Sequence, residues 1–303
     1  KGTGHVLGIE IQTERYSAVA LDLEGRIVQS RSIPFSWDGR HLSTVFLEIV
    51  SEATQALDIS GDGLLGIGVG LSGIVDSSTG TIRQSLPLGV TSPLDFYSSS
   101  ARLIGKPLCI DNDANCCCWA QLVRGRDARP REFLFILGEF RKERAGDLGG
   151  GGLSVGLGLV LGGRVHLGAS SSAGEFRSVF RTSETGSQFS VEPAVMERAE
   201  NDPSAFERVA RELGRNVALL VNTLDLSHVF IGGNIERRQR ELVPILEKEI
   251  ESNWPYGRKS LSIEASELGE LVVAYGAAAM FLERLFSLPQ IQEHSVPVGV
   301  SAG

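Results

Sequence analysis

The alternation of apolar and polar positions divides the chain into two similar runs of elements. "HVLGIEI" (5–11), "YSAVALDL" (16–23) and "RIVQSRSI" (26–33) read as three successive antiparallel strands, with Glu24-Gly25 turning the chain between the second and third. From about 41 to 57, Leu42, Val45, Phe46, Ile49, Val50, Ala53 and Leu57 keep the spacing of a helix with one buried face. A buried strand, "LLGIGVGL" (64–71), follows, and a short one, "PLCID" (107–111), runs into another helix. The pattern then restarts with "FLFIL" (133–137), "GLSVGLGLVLG" (152–162) and "RVHLG" (164–168). Helix 203–224 carries Phe206, Val209, Leu213, Val217 and Leu220 on one stripe. Asp202-Pro203 starts it with a capping carboxylate and a proline at the first helical position. Strand "HVFIGG" (228–233), a helix at 236–252 containing Pro244, strand "LSIEAS" (261–266) and a last helix at about 268–286, rich in small residues, complete the series. Residues 288–303 lack periodicity and read as a meandering tail.

Three strands, helix, strand, helix, twice over, predicts an internally duplicated α/β fold with a ligand cleft between its halves. The expected domains are 1–124 and 125–303, with the last helix packing back on the first. A chain of 303 residues, 42% hydrophobic and 22% charged, is long enough for two ordinary cores. No apolar run approaches the roughly 18 residues of a membrane span. The N-terminus enters a strand pattern directly, without a signal peptide, so a cytoplasmic protein is expected. The start at Lys1 instead of Met fits a piece of a longer polypeptide. A net charge of −8 repels nucleic-acid phosphates. Cys109, Cys116, Cys117 and Cys118 form no Cys-x-x-Cys pair, and three adjacent helical cysteines point in three directions. They are expected to be small, buried, reduced side chains.

Several motifs are candidates for chemistry. "GVGLSG" (68–73) fits a dinucleotide fingerprint literally, but the following "IVDSSTGTI" reads as a turn where that fingerprint needs a helix. No phosphate loop ending in Gly-Lys-Ser/Thr is present. In "IDNDANCCCWAQ" (110–121), Asn112 and Asp113 sit where a strand meets a helix. They serve either as a helix cap or as a proton acceptor and polyol ligand at a cleft mouth. Glu175, in "SAGEFRSVF", is a surface carboxylate or a ligand group. The glycines of "VFIGGN" (229–234) make a tight turn or admit a ligand to the backbone. The glycine-rich run 144–168 is either a phosphate cradle or a hinge.

In this order, "LGIEI", "GIGVGLSGIVDSSTGTI", "IDNDAN", "GLGLVLGGRVHLGASSSAGE", "FIGGN" and "YGAAA" resemble the ROK family of bacterial sugar kinases and sugar-responsive repressors, over about residues 5–286. The resemblance implies an actin-like (ribonuclease H-like) two-domain fold, a sugar in the interdomain cleft and a homodimer. It places sugar contacts at Gly73, Asn112, Asp113 and Glu175, with Ser178 as a weaker one. In a kinase Asp113 would be the general base and Gly232 and Gly233 would line the adenosine side. The departures matter as much. The family's first phosphate motif, Asp-x-Gly-Gly-Thr, is replaced by Glu10 followed by Gln12, Thr13 and Glu14, which brings negative charge toward the phosphates. Its second, Gly-Thr-Gly, aligns with Gly152, Leu153 and Ser154, where leucine cannot donate to phosphate. Gly156, Gly158 and Gly163 keep the family's strand-turn-strand glycines, and 138–152 reads as a charged, flexible insertion. The glycine-rich run 144–168 thus reads as a mobile loop on an eroded phosphate site. Nucleotide contacts, if any, fall to Glu10, Thr13, Ser154, Gly156, Gly232 and Gly233. The family's zinc-binding His and Cys cluster is missing: Ser178 stands in the His position, and 174–190 has neither Cys nor His, so no structural zinc is expected. His166 is expected to be a packed or surface residue, and Phe176, Phe180 and Phe189 to fill the gap.

The expectation is a sugar-sensing effector domain of a ROK-type transcriptional regulator. It needs no cofactor and reaches DNA only through a head outside these residues. The alternative is an ATP-dependent hexose or N-acetylhexosamine kinase using Mg-ATP, with Asp113 as base and Glu10 reaching Mg²⁺ through water. A third class is a catalytically silent partner-binding protein.

Overall fold

A computed structural model describes residues 4–35, 40–59, 61–124, 130–141, 151–182, 187–256 and 260–287. The first half runs β1 (His5–Ile11), β2 (Arg15–Leu21), β3 (Ile27–Pro34), α1 (Leu42–Ala56), β4 (Leu64–Leu71), β5 (Ile74–Asp76), β6 (Thr81–Gln84), β7 (Leu94–Asp95), α2 (Phe96–Ile104), β8 (Leu108–Asn112) and α3 (Asp113–Arg124). The second runs β9 (Phe133–Arg141), β10 (Gly152–Leu161), β11 (Arg164–Val165), α4 (Pro193–Arg198), α5 (Pro203–Thr223), β12 (His228–Gly232), a 3-10 turn at Asn234–Arg238, α6 (Gln239–Ser252), β13 (Ser262–Ala265), a 3-10 turn at Gly269–Leu271 and α7 (Val272–Phe286).

The duplication is visible in the sheets. One has the order β3-β2-β1-β4-β8 and the other β11-β10-β9-β12-β13. In both, the first strand pairs antiparallel with the second and parallel with the strand that follows the first long helix. Three features depart from the sequence expectation. The stretch after Gly73 is a hairpin, β5 and β6, joined by β7 into a small third sheet. Short helices α2 and α4 join the set. β9 continues to Arg141, so residues 138–141, expected in a flexible insertion, are strand. In the glycine-rich run, Gly152–Leu161 and Arg164–Val165 are paired strands joined by a Gly162-Gly163 turn; 144–150 lies outside the described residues, as does 288–303.

Helix signals act as expected. The Asp202 carboxylate accepts from Ser204 N (2.9 Å) and Ala205 N (3.2 Å), capping α5 ahead of Pro203. The α1 stripe from Leu42 to Ala53 is buried. It packs on one face of the first sheet, against Leu7, Ile9 and Ile11 of β1, while α5 and α6 cover the outer face of the second.

The two sheets are joined through α3 and α7, which lie between them. From Val272 to Leu282 α7 is apolar on all sides, as a helix segment with no solvent face must be; only its last turn, from Glu283, reaches the surface. It rests on β1, β2, β4 and α3, and α3 in turn rests on β9 and β10. These approaches need bare backbone. A Cβ on Gly68 would stand 1.9 Å from the Ala277 carbonyl oxygen, and one on Gly276 1.7 Å from that of Cys116. On the far side, a Cβ on Gly158 would meet Cys118 Sγ at 2.4 Å. The motif "GVGLSG" is therefore part of a seat for a helix. The three directions of Cys116, Cys117 and Cys118 are all interior, because α3 is enclosed; all four cysteines are buried and unbridged. Gly276→Ala is expected to lower unfolding free energy by about 2–3 kcal/mol through overpacking, read from urea denaturation.

Candidate functional site

Each central strand carries a glutamate on its inner face near its end, and Glu139 lies within electrostatic reach of Glu10. Along β1 the inward row is Val6, Gly8, Glu10; along β9 it is Phe133, Phe135, Leu137, Glu139. Both carboxylates are buried. Burial first, then Glu139, pushes Glu10 up to about 8, against the pull of Arg15 and Gln12. Burial raises Glu139 to about 7, against Arg15, Arg141 and the Asn234 N–H. Two ionised carboxylates in this setting are costly.

Between them α3 presents its N-terminus. Asn112 is the helix cap, one of the two readings of it, and also a tie to Gly73. Its Oδ1 accepts from Ala114 N (2.9 Å) and Asn115 N (3.2 Å), while its Nδ2 donates to Gly73 O (2.8 Å). Gly73, at φ +114°, is fixed there because a Cβ would strike Gln84 O at 2.3 Å. Asp111, buried one residue earlier, accepts from Asn115 Nδ2 (2.9 Å) and Asn112 N (2.8 Å). Asp113 stands at the first turn of α3, half-buried. Burial raises its carboxyl, and Arg141, Ala114 N–H and the Ser72 hydroxyl pull it back. Glu175 lies within electrostatic reach. Its side chain is partly exposed, and its carboxyl is raised by burial and then by Asp113. The loop bearing it is pinned to β10 by Leu157 N donating to Gly174 O (3.1 Å). Gly73, Asn112, Asp113 and Glu175 thus converge on one side.

Ser178 does not join them. It is buried, and its Oγ accepts from Asn216 Nδ2 (3.1 Å) and Phe180 N (3.2 Å), so the expected sugar contact is taken up by internal bonds. The segment around it, where the resemblance led to a zinc comparison, is held by polar staples. Gln188 accepts from Val155 N (2.7 Å) and donates to Val155 O (2.7 Å) and Phe176 O (3.0 Å). Asn216 accepts from Val179 N (2.9 Å), and Glu212 accepts from Ser190 N (2.6 Å) and Ser190 Oγ (2.7 Å). Phe176 and Phe189 pack at 5.3 Å between ring centroids; Phe180, expected beside them, is instead exposed beneath the Arg215 guanidinium. His166 is exposed past the end of β11.

On the other side, the residues aligned with phosphate contacts face one another. Gln12 Nε2 donates to Glu10 Oε1 (2.5 Å), and Arg15 Nε donates to Gln12 Oε1 (3.0 Å). Arg15 also pairs with Glu270, whose other oxygen takes Arg237 Nη2 (2.8 Å). Thr13 sits in the turn between β1 and β2. Leu153 is buried in the second half's core, and Ser154 pairs with Glu139 in the hairpin. Gly156 comes against Ala114, where a Cβ would be at 3.4 Å. Gly232 and Gly233, expected to admit a ligand, receive the protein's own atoms. Added Cβ atoms would lie 2.5 Å from the Phe135 ring and, at Gly233 (φ +84°), 2.7 Å from Glu139 Oε1. Arg15, Glu139, Arg141 and Glu270 were not singled out in the sequence. Only the inward row of β9 carried a signal for any of them, the extension of Phe133, Phe135, Leu137 to Glu139.

Two sheets of one topology, joined through α3 and α7, define a duplicated actin-like, ribonuclease H-like fold. The chain belongs to the ROK family, whose model matches residues 6–178. A putative xylose repressor from Caldicellulosiruptor sp. (strain Rt8B.4) is 27% identical over 179 residues, 58% of this chain; the match spans 41% of that repressor's length. The structure superposes with a TM-score of 0.69 on a ROK family glucokinase from Streptomyces griseus in complex with glucose and AMPPNP, at 19% identity, covering 91% of this chain and 99% of that one. It gives the same TM-score, at 17% identity, with a ROK family transcriptional regulator, a homolog of the E. coli MLC protein, covering 92% and 78%. Among the described residues no helix is long and apolar enough to cross a membrane.

The raised carboxyls have a definite pH consequence. The native state binds more protons than the unfolded chain between the ordinary glutamate value of 4.5 and about 8. The stability they contribute is therefore complete below about 4.5 and lost as pH rises through about 8. Glu10→Gln is expected to remove much of that slope, raising stability by about 1–3 kcal/mol near pH 8.5 and little at pH 4.5, read from unfolding curves across pH. Gln188→Ala, which orphans Val155 N–H and two carbonyls, is expected to cost about 2–3 kcal/mol in the same assay.

Proposed function

We propose that the chain is the sugar-sensing domain of a ROK-type transcriptional regulator, and that a sugar or sugar derivative binds beside Asn112, Asp113 and Glu175. The observation that carries this reading is the contrast between the two sides of the cleft. The polyol side keeps carboxylates within reach of ligand hydroxyls. The residues on the phosphate side do not fit a nucleoside triphosphate: Glu10 and Glu139 put buried carboxyls there, Gln12 Nε2 is spent on Glu10, Leu153 is buried, and Arg15 is bonded to Gln12 and Glu270. The partial match to a xylose repressor supports a regulator. In that reading contact with DNA belongs to a segment outside these residues, two copies of the chain pair, and the protein works in the cytoplasm. Neither zinc nor nucleotide takes part.

The kinase reading draws on Asp113, whose carboxyl is raised at the cleft mouth as a proton acceptor's is, and on the glucokinase's equal structural likeness. Calorimetric titration of Mg-ATP, with hexoses and N-acetylhexosamines present, separates the two. A sensor gives no nucleotide heat. At a sugar concentration near 100 times Kd it also gains about 2.7 kcal/mol of stability, a melting shift of several degrees. Asp113→Asn is expected to weaken that sugar's binding about ten- to a hundredfold while leaving a folded protein. Nucleotide binding with turnover that Asp113→Asn abolishes would move the chain to the kinases.

A further inference from the structure

We propose that Glu270 is an electrostatic clasp that keeps the phosphate side of the cleft shut by the chain's own charges, with no nucleotide taking part. Its two oxygens serve guanidiniums from different halves. Oε2 pairs with Arg15, at the start of β2 in the first sheet, and Oε1 accepts from Arg237 in the 3-10 turn that follows β12 of the second. Glu270 itself lies in the 3-10 turn leading into α7, the helix that seats on the first sheet.

Each end of the clasp is braced. Arg15 is held by Gln12 Oε1, Gln12 N donates back to Arg15 O (3.0 Å), and Phe35 N donates to Glu14 O (2.7 Å), so the β1–β2 turn moves as one piece with its sheet. The opposite turn is tied through Glu236, which accepts from Ser266 Oγ (2.5 Å), and the Ser266 carbonyl accepts from Arg124 Nη1 at the end of α3 (2.8 Å). Exposure of the three side chains rises outward, from 21% at Arg15 through 37% at Glu270 to 70% at Arg237. The Arg15 end is sheltered and the Arg237 end is wet.

Isolated surface pairs contribute little, and this one is partly solvated. A single carboxylate shared by two guanidiniums on separately moving elements is nonetheless weak enough to open and specific enough to set a resting geometry. The charges occupy the place where the first phosphate motif of a nucleotide-binding relative would act. Closure of that side is therefore a resting property of the chain, and a ligand on the Asn112 side works against a fixed edge. The clasp bears on the sensor reading without depending on it, and its test uses no ligand.

The experiment compares the whole chain with Glu270→Gln, Arg15→Met and Arg237→Met by small-angle X-ray scattering and backbone amide exchange at neutral pH. In Glu270→Gln and Arg15→Met the radius of gyration is expected to increase. Exchange of the β1–β2 turn and of 234–238 should quicken about three- to tenfold. The Arg15→Met/Glu270→Gln double variant should go no further than the worse single one. Raising NaCl to about 1 M should produce the same change in the unmodified chain, because the pairs are screened. Arg237→Met, which breaks the other arm of the same link, should give a change of the same kind and serves where another variant folds poorly. Unchanged scattering in Glu270→Gln overturns the clasp, including where exchange quickens only in the β1–β2 turn, since that would make Glu270 a local prop.

Discussion

The approach of α3 and α7 to one another and to the two sheets is the constraint from which the rest follows. Backbone comes onto backbone, with Gly68 under Ala277, Gly276 against Cys116 and Gly158 against Ala114, where Cys118 Sγ also reaches it. Dispersion in such contacts is strong because nothing intervenes, and it fails abruptly when a methyl group does. The helices are thereby fixed in rotation and height. Asn112 and Asp113, at the start of α3, are carried to the ends of the two central strands as a consequence.

That placement explains the electrical character of the cleft. A carboxylate at the inward end of each central strand and a third on the intervening helix lie too close, in too little water, for all to be charged at once. Arg15 and Arg141 offset part of the charge. The remainder shows as carboxyls raised well above their usual range. The two sides then diverge. On one, Asn112 spends its donor on Gly73 and its acceptor on the helix cap, and Asp113 and Glu175 stand beside it with raised carboxyls. On the other, cations and anions of the chain itself are matched.

Much of this was legible in the sequence because it rests on local periodicity. β1 and β4 fall at the predicted residues, and the capping pair Asp202-Pro203 starts α5 where it was placed. The β5–β6 hairpin was missed because its strands are three and four residues long, and Asp76, Ser78 and Gly80 read as turn alone. Arg15, Glu270 and Arg237 were illegible for a different reason. They lie 255 and 33 residues apart along the chain, and no single-chain periodicity records a meeting set by the packing of α7. Ser178 was misplaced because a serine standing where a ligand histidine is expected gives no sign of its rotamer; Asn216, a turn of α5 beyond Glu212, decides it.

The glycines of the phosphate motifs show why a motif can outlast the chemistry attached to it. Gly156 and Gly158 admit α3 to β10, and Gly232 admits the Phe135 ring and Val272. Replacing Gly158 or Gly232 would disturb the joint between the halves whether or not a phosphate binds, while a Cβ on Gly156 would make only ordinary contact with Ala114 at 3.4 Å. The hydroxyl positions carry no such duty. Leucine at 153 adds a buried side chain to the second core, and glutamine at 12 gains bonds to Glu10 and Arg15. A chain of this fold can therefore keep the outline of a nucleotide site as a packing requirement while its polar groups are bonded to one another. The same logic applies at 174–190. Gln188, Asn216 and Glu212 supply hydrogen bonds that pin the loop to β10 and α5, and that loop sets the height of Glu175 above Asp113.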